Sequence, residues 1–159
     1  MKVEKAGTAD IDALVQMRLD YLREDNGCLS EQEEETIRSG LPAYYRTSLG
    51  KELSVYVIRD GQAIVSCAFL LTVNKPMSPA FLNGKTGTLL NVYTVPEYRR
   101  RGYSRAILTV LLSDAKEMEL SVIELKATED GYPLYKSLGF QDDGMRYHNM
   151  KWKNAEICG

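Results

Sequence analysis

The stretch "YTVPEYRRRGYSRAIL", Tyr93 to Leu108, joins an apolar β-rich run to a helix-periodic segment through three arginines and a glycine. A strand that enters a glycine turn and then a helix aims the first unpaired N–H groups of that helix at one spot, where the macrodipole adds positive potential. Such a spot binds phosphate. Gly102 permits a sharp turn and Ser104 is small, while Arg99, Arg100, Arg101 and Arg105 surround the turn with positive charge, so two adjacent phosphates fit better than one. Taken alone, "RRRG" reads equally well as solvated charge before a helix. Three adjacent cations near a positive helix end repel one another, however, and an anion relieves that repulsion. The spacing matches neither GxxxxGK[ST] nor GxGxxG.

The rest of the chain restricts the partner. Its 159 residues suit one domain with one continuous core, and 44% hydrophobic with 26% charged residues is the balance of a globular protein. Twenty basic against twenty-two acidic side chains leave a net charge of −2, so no global field holds a nucleic acid, and any phosphate binding is local. Cys28, Cys67 and Cys158 are far apart, with no CxxC pair and His148 as the single histidine, which argues against a disulfide framework and a metal site. "MKVEKAGTADID" lacks the apolar core of a signal peptide, and no apolar run is long enough to span a bilayer; the expected address is the cytoplasm, with no membrane partner.

The elements that must position the turn follow from periodicity. "MKVEKA" reads as an edge strand, Thr8 as an N-cap, and residues 9–24 as a helix with Ile11, Leu14, Val15, Leu19 and Leu22 towards the core and Asp12, Gln16, Arg18 and Arg23 towards water. Ser30 and Glu33 have capping-box spacing for a second helix, which Pro42 is expected to end or bend. "LSVYVIRDGQAIVSCAFLLTV" reads as two strands turning at Asp60-Gly61, and "TLLNVYTV" as a strand apolar enough to be central. After the turn come a helix from Gly102, a strand "SVIELKA", a short helix "YPLYKSL" and a last strand "MRYHNMKW". The sum is a mixed α/β domain with a central β-α-β unit.

"VYTVPEYRRRGYSRAIL" resembles the acetyl-CoA signature of the GNAT N-acetyltransferases, R/Q-x-x-G-x-G/A between a central strand and a helix. Here Arg99 opens it, Gly102 takes the first glycine position, and Ser104 stands where the family usually has glycine or alanine. "ATEDGYPLYKSLGF", Ala127 to Phe140, is similar to the family's later segment ending in Tyr-x-x-Leu-Gly-Phe, and "VEKAGTADIDALVQMRLDYLRED" to its first strand and helix. The resemblance covers nearly the whole chain and implies a single domain over 1–159, a mixed, mostly antiparallel sheet flanked by helices, and acetyl transfer from acetyl-CoA to a primary amine without a metal. It implies that Arg100, Arg101, Gly102, Tyr103, Ser104 and Arg105 hold the pyrophosphate, and that the backbone of Tyr93, Thr94 and Val95 holds the pantetheine arm. A homodimer is expected at family level only.

Acetyl transfer needs a neutral amine, stabilisation of the developing oxyanion and a proton for the departing thiolate. By resemblance Tyr135 is the general acid; by its place in a short amphipathic helix alone, core packing is the commoner role. Glu24, Asp25 and Glu129 are candidate bases or acceptor contacts, against the ordinary expectation that carboxylates are solvated. Asn91 and Tyr93 could line the acceptor pocket, with Tyr93 equally credible as a core aromatic. His148, Cys28 and Cys67 read as structural or merely accessible. The rival class is a non-catalytic acyl-CoA-binding or regulatory domain on the same fold, because a fold does not guarantee turnover.

Overall fold

A computed structural model describes residues 1–144 and 146–158. The chain forms two compact units, Met1–Lys126 and Ala127–Gly159. In the first, β1 (Val3–Lys5), α1 (Ile11–Asn26), α2 (Glu31–Ser48), β2 (Leu53–Asp60), β3 (Ala63–Asn74), β4 (Lys85–Thr94), α3 (Tyr103–Glu117) and β5 (Val122–Glu124) follow in order. The five strands lie side by side in chain order, antiparallel except for the parallel pair β4 and β5.

β2 and β3 are buried along most of their length, as the apolar runs "LSVYVI" and "IVSCAFLL" require of strands covered on both faces. Alternation divides their side chains between two layers. Val55, Val57, Cys67 and Phe69 share one cluster with Leu14, Val15 and Leu19 of α1 and Tyr45 of α2. Tyr56 points to the other layer, where its hydroxyl donates to Asp114 of α3 at 2.9 Å. Ile107, Leu108, Leu111 and Ala115 give α3 its buried stripe. The hairpin closes on Gly61 and Gln62, with Gly61 at φ 60°.

Three local expectations need correcting. Gly7, not Thr8, precedes the first helical turn, and its N–H donates to Asp10 Oδ2 at 2.9 Å. Pro42 lies inside α2, which continues to Ser48; the Ser30–Glu33 capping box at its start forms as expected, at 2.9 and 3.1 Å. Arg18 does not face water. It is half-buried, because seven residues after Ile11 it falls on the core side of α1.

In the second unit, α4 (Tyr132–Ser137) starts behind Thr128, whose hydroxyl accepts from Gly131 N–H at 3.1 Å, and α5 (Ala155–Cys158) ends the described chain. The terminal strand expected at 145–152 is absent over residues 146–152, and Met145 lies outside the described residues. Met150 and Trp152, 91% and 85% exposed, show why a mixed pattern alone did not make a strand: no apolar face is buried there.

Candidate acyl-donor and acceptor site

Two features at the C-terminal half of β4 create the site. β5 pairs with β4 only over Thr86 to Thr88, so within this unit the outer edge of β4 continues from Leu89 to Thr94 beyond its parallel neighbour. The β3–β4 register also slips between Cys67 and Phe69: Cys67 opposes Tyr93, while Phe69 opposes Leu90. The extra residue is on β4, at Asn91 and Val92, and Asn91 takes a left-handed φ of 51°. A bulge beside an unpaired edge redirects the backbone just where the strand separates from its neighbour.

Backbone alternation decides which groups the open edge offers. Val95 N–H donates to Val65 O at 2.9 Å and is therefore committed to β3. Thr94, one residue before, turns its backbone groups to the opposite edge, where its carbonyl accepts from Arg99 Nε at 2.9 Å. Its side chain faces inward, with Ser66 Oγ at 2.7 Å and Ser104 Oγ at 3.1 Å, so three hydroxyls tie β3, β4 and the start of α3 together. Serine at position 104 thus gains a hydrogen bond that glycine or alanine would lack.

The turn into α3 passes through two left-handed residues, Arg100 at φ 64° and Gly102 at φ 79°. A side chain on Gly102 would meet nothing within 4 Å, so glycine is required there by backbone conformation and not by crowding. The N–H groups of Gly102, Tyr103 and Ser104 have no backbone partner among the described residues, and they open a 15-residue helix. Two of the flanking cations are held by the protein. Arg99 Nη2 donates to Glu24 Oε2 at 2.6 Å with its guanidinium 5.5 Å from the Tyr93 ring, and Arg101 Nη2 donates to Glu97 O at 2.9 Å with its guanidinium 5.1 Å from the Tyr98 ring. Tyr98 stacks on Tyr103 at 6.2 Å.

On the α1 side, Tyr21 meets Tyr93 edge to face at 6.4 Å, and burial pushes both phenols above their usual range. Asn91 is 2% exposed; its Oδ1 accepts from Arg18 Nη1 at 3.2 Å and its Nδ2 donates to Cys67 Sγ at 3.5 Å. Burial raises the Cys67 thiol to about 12, so it stays protonated. The structure therefore brings Glu24, Asn91, Tyr93, Thr94, Val95 and the 100–105 turn into the first unit around one end of β4. Tyr135 and Glu129 belong to the second: Tyr135 is half-buried, edge-on to Phe140 at 5.8 Å, and Glu129 is exposed. Sequence reading missed Arg18, which the 11–14–15–18 spacing could have assigned to the inner face of α1. No cluster of histidine, cysteine and carboxylate side chains able to hold a metal occurs among the described residues. Nor is any helix there long and apolar enough to cross a membrane.

A mostly antiparallel sheet whose fourth strand outruns a parallel fifth, followed by a left-handed turn into a helix, defines a mixed α/β fold. Residues 14–140 match the acetyltransferase (GNAT) family, and the chain belongs to that family. It is 28% identical to a predicted acetyltransferase from Clostridium acetobutylicum solved with acetyl-CoA, over 94% of this chain and 95% of that one, with a TM-score of 0.82. A GCN5-related N-acetyltransferase from Ralstonia eutropha JMP134 shares the fold at 21% identity, covering 94% and 97% of the two chains with a TM-score of 0.73. So does a ribosomal-protein-alanine N-acetyltransferase from Brucella melitensis, at 16% identity, 95% and 100% coverage and a TM-score of 0.68. No curated protein matches the chain.

Proposed function

We propose that this protein transfers an acetyl group from acetyl-CoA to a primary amine. The observation that carries the reading is the continuity of the open β4 edge, Leu89 to Thr94, with the left-handed turn at Gly102. The pyrophosphate is held by the N–H groups at the start of α3, and the pantetheine arm runs along the free edge as an added strand, using the Thr94 N–H in preference to the committed Val95 N–H. The acyl donor bound by the Clostridium acetobutylicum relative supports the same choice of cosubstrate.

In the reaction, the neutral amine nitrogen attacks the thioester carbonyl carbon, the C–S bond breaks, and the leaving thiolate takes a proton. An N–H at the β4 bulge is suited to polarise the carbonyl oxygen, a role that needs no particular side chain. By the resemblance of its segment to the family's, Tyr135 is the residue that supplies the proton, through its phenolic O–H. The amine loses its own proton to solvent. Glu24, tied to Arg99, borders the acceptor approach.

Purified protein mixed with acetyl-CoA and a broad panel of amines and peptides tests this by release of free CoA thiol. Tight acetyl-CoA binding with no thiol release across the panel would establish the non-catalytic binding domain instead.

A further inference from the structure

Arg18 and Tyr45 present an unexplained surplus of hydrogen-bond donors. Among the described residues the Arg18 guanidinium has one hydrogen bond, to Asn91 Oδ1 at 3.2 Å, a contact over the Tyr21 ring at 5.9 Å, and no carboxylate. On α1, Asp20 pairs with Arg23 and Glu24 with Arg99. A half-buried guanidinium without a counter-ion loses hydration that one amide oxygen does not replace. Tyr45, on α2, is 1% exposed, and its hydroxyl is the one buried side-chain oxygen without a partner among the described residues. Burial raises its phenol far above the ordinary range, with Arg18 the strongest opposing influence, so it stays a neutral O–H within the field of that cation. Tyr45 and Cys67 belong to one buried cluster, and Cys67 touches Asn91. Both donors therefore gather behind the β4 bulge.

This placement bears on the acceptor. An acyl arm along the open β4 edge leaves α3 and its phosphate turn on one layer, so an amine reaches the thioester from the α1–α2 layer, where Arg18 lies. The Arg18 guanidinium can only donate, and the Tyr45 hydroxyl, without a partner among the described residues, is able to donate beside it. We infer that Arg18, assisted by the Tyr45 hydroxyl, recognises a carboxylate on the acceptor, so that the substrate is a small amino acid or other amine carrying a carboxylate. The inference rests on the acetyl-transfer reading. Guanidinium and carboxylate match in geometry as well as charge, and the Asn91 contact fixes the guanidinium plane beforehand.

The test is a matched panel: α- and ω-amino acids, each as the free acid and as its neutral carboxamide, assayed for kcat/KM with acetyl-CoA. The wild type should favour the acids, and Arg18→Gln should lower the acid-to-amide ratio by about ten- to hundredfold. Arg18→Lys, which keeps the charge, should retain part of the preference and covers the case in which Arg18→Gln fails to fold. Tyr45→Phe should reduce the ratio by a smaller factor. If Tyr45→Phe raises Tm while the ratio stays put, the hydroxyl is a packing defect and its assigned role is overturned. Amides used as well as acids by the wild type, or equal losses on both in Arg18→Gln, would overturn the carboxylate assignment while leaving acetyl transfer standing. No turnover with any amine would remove both.

Discussion

Arg99 bridges α1 and β4: its Nη2 donates to Glu24 Oε2 at 2.6 Å, and its Nε to the carbonyl of Thr94 at 2.9 Å. The hydrogen bond to Glu24 is the chief reason its guanidinium is raised further above an already high range. A cation at the start of the "RRRG" turn is thereby directed back onto the protein, where it pins the end of β4 to the first helix. Both partners are partly solvated, so the pair contributes little to stability, on the order of 1 kcal/mol or less. Its effect is positional.

With Arg99 and Arg101 bound internally, the proposed pyrophosphate site relies more on the backbone turn than on those two side chains. Gly102→Glu places a carboxylate at the mouth of the turn and forces a non-glycine residue into left-handed geometry, which costs about 1–2 kcal/mol on its own. Titration calorimetry with CoA should show at least about tenfold weaker binding for Gly102→Glu. Arg101→Ala should lose only about two- to fivefold, because an exposed side chain contributes little through screened charge. The reverse order would assign the site to the side chains.

Tyr135→Phe separates packing from catalysis. The ring keeps its edge-on contact with Phe140, while loss of the proton donor should lower kcat by about 10²- to 10⁴-fold. The KM for acetyl-CoA should change little. An unchanged kcat with a working amine would remove Tyr135 as the acid and leave the enzyme reading intact.

The fold was legible wherever one periodicity served one environment. The run 53–73 is apolar on both faces and makes the buried β2 and β3, and Ser30 with Glu33 marked a helix start because capping is local chemistry. Pro42 misled because tertiary packing of Tyr45 and Ser48 carries α2 past a lost hydrogen bond. At the site, Gly102 was legible because only backbone geometry requires it. Arg18 was not, because a charged residue on an inner face announces itself only when its helix is docked. The Asn91 bulge is equally silent in sequence, since it arises from register between two strands.

Asp114 ties the α3 layer to the sheet, accepting from Tyr56 O–H at 2.9 Å and Lys5 Nζ at 3.0 Å. Burial pushes its pKa up, but the hydrogen bonds from Lys5 and Tyr56 outweigh burial and hold it below the ordinary carboxylate value. A depressed folded-state pKa gives stability that is present above the unfolded value of about 3.9 and is lost as pH falls through the folded one. Asp114→Asn should therefore be less stable than wild type at pH 7 by about 1–2 kcal/mol, and the gap should narrow as pH falls below the ordinary carboxylate value and through the lowered folded one. Urea denaturation at pH 7 and in acid measures it; a gap that persists in acid would show that shape, not charge, holds α3.

Thr94 is the middle member of the hydroxyl chain from Ser66 to Ser104, and its place predicts unequal costs. Thr94→Val keeps the shape but leaves the fully buried Ser66 hydroxyl without its partner, a loss of about 1–3 kcal/mol. Ser104→Ala removes an end member that is half-exposed, where water can take over the bond to Thr94, so the cost should stay near 0.5–1 kcal/mol on the usual scale for one hydrogen bond, roughly. Because the chain anchors the start of α3 to β4, Thr94→Val should also weaken CoA binding by loosening the turn that aims the N–H groups. Chemical denaturation and CoA titration of both variants check the pair of effects. Equal stability losses would mean that the three hydroxyls are not coupled through Thr94.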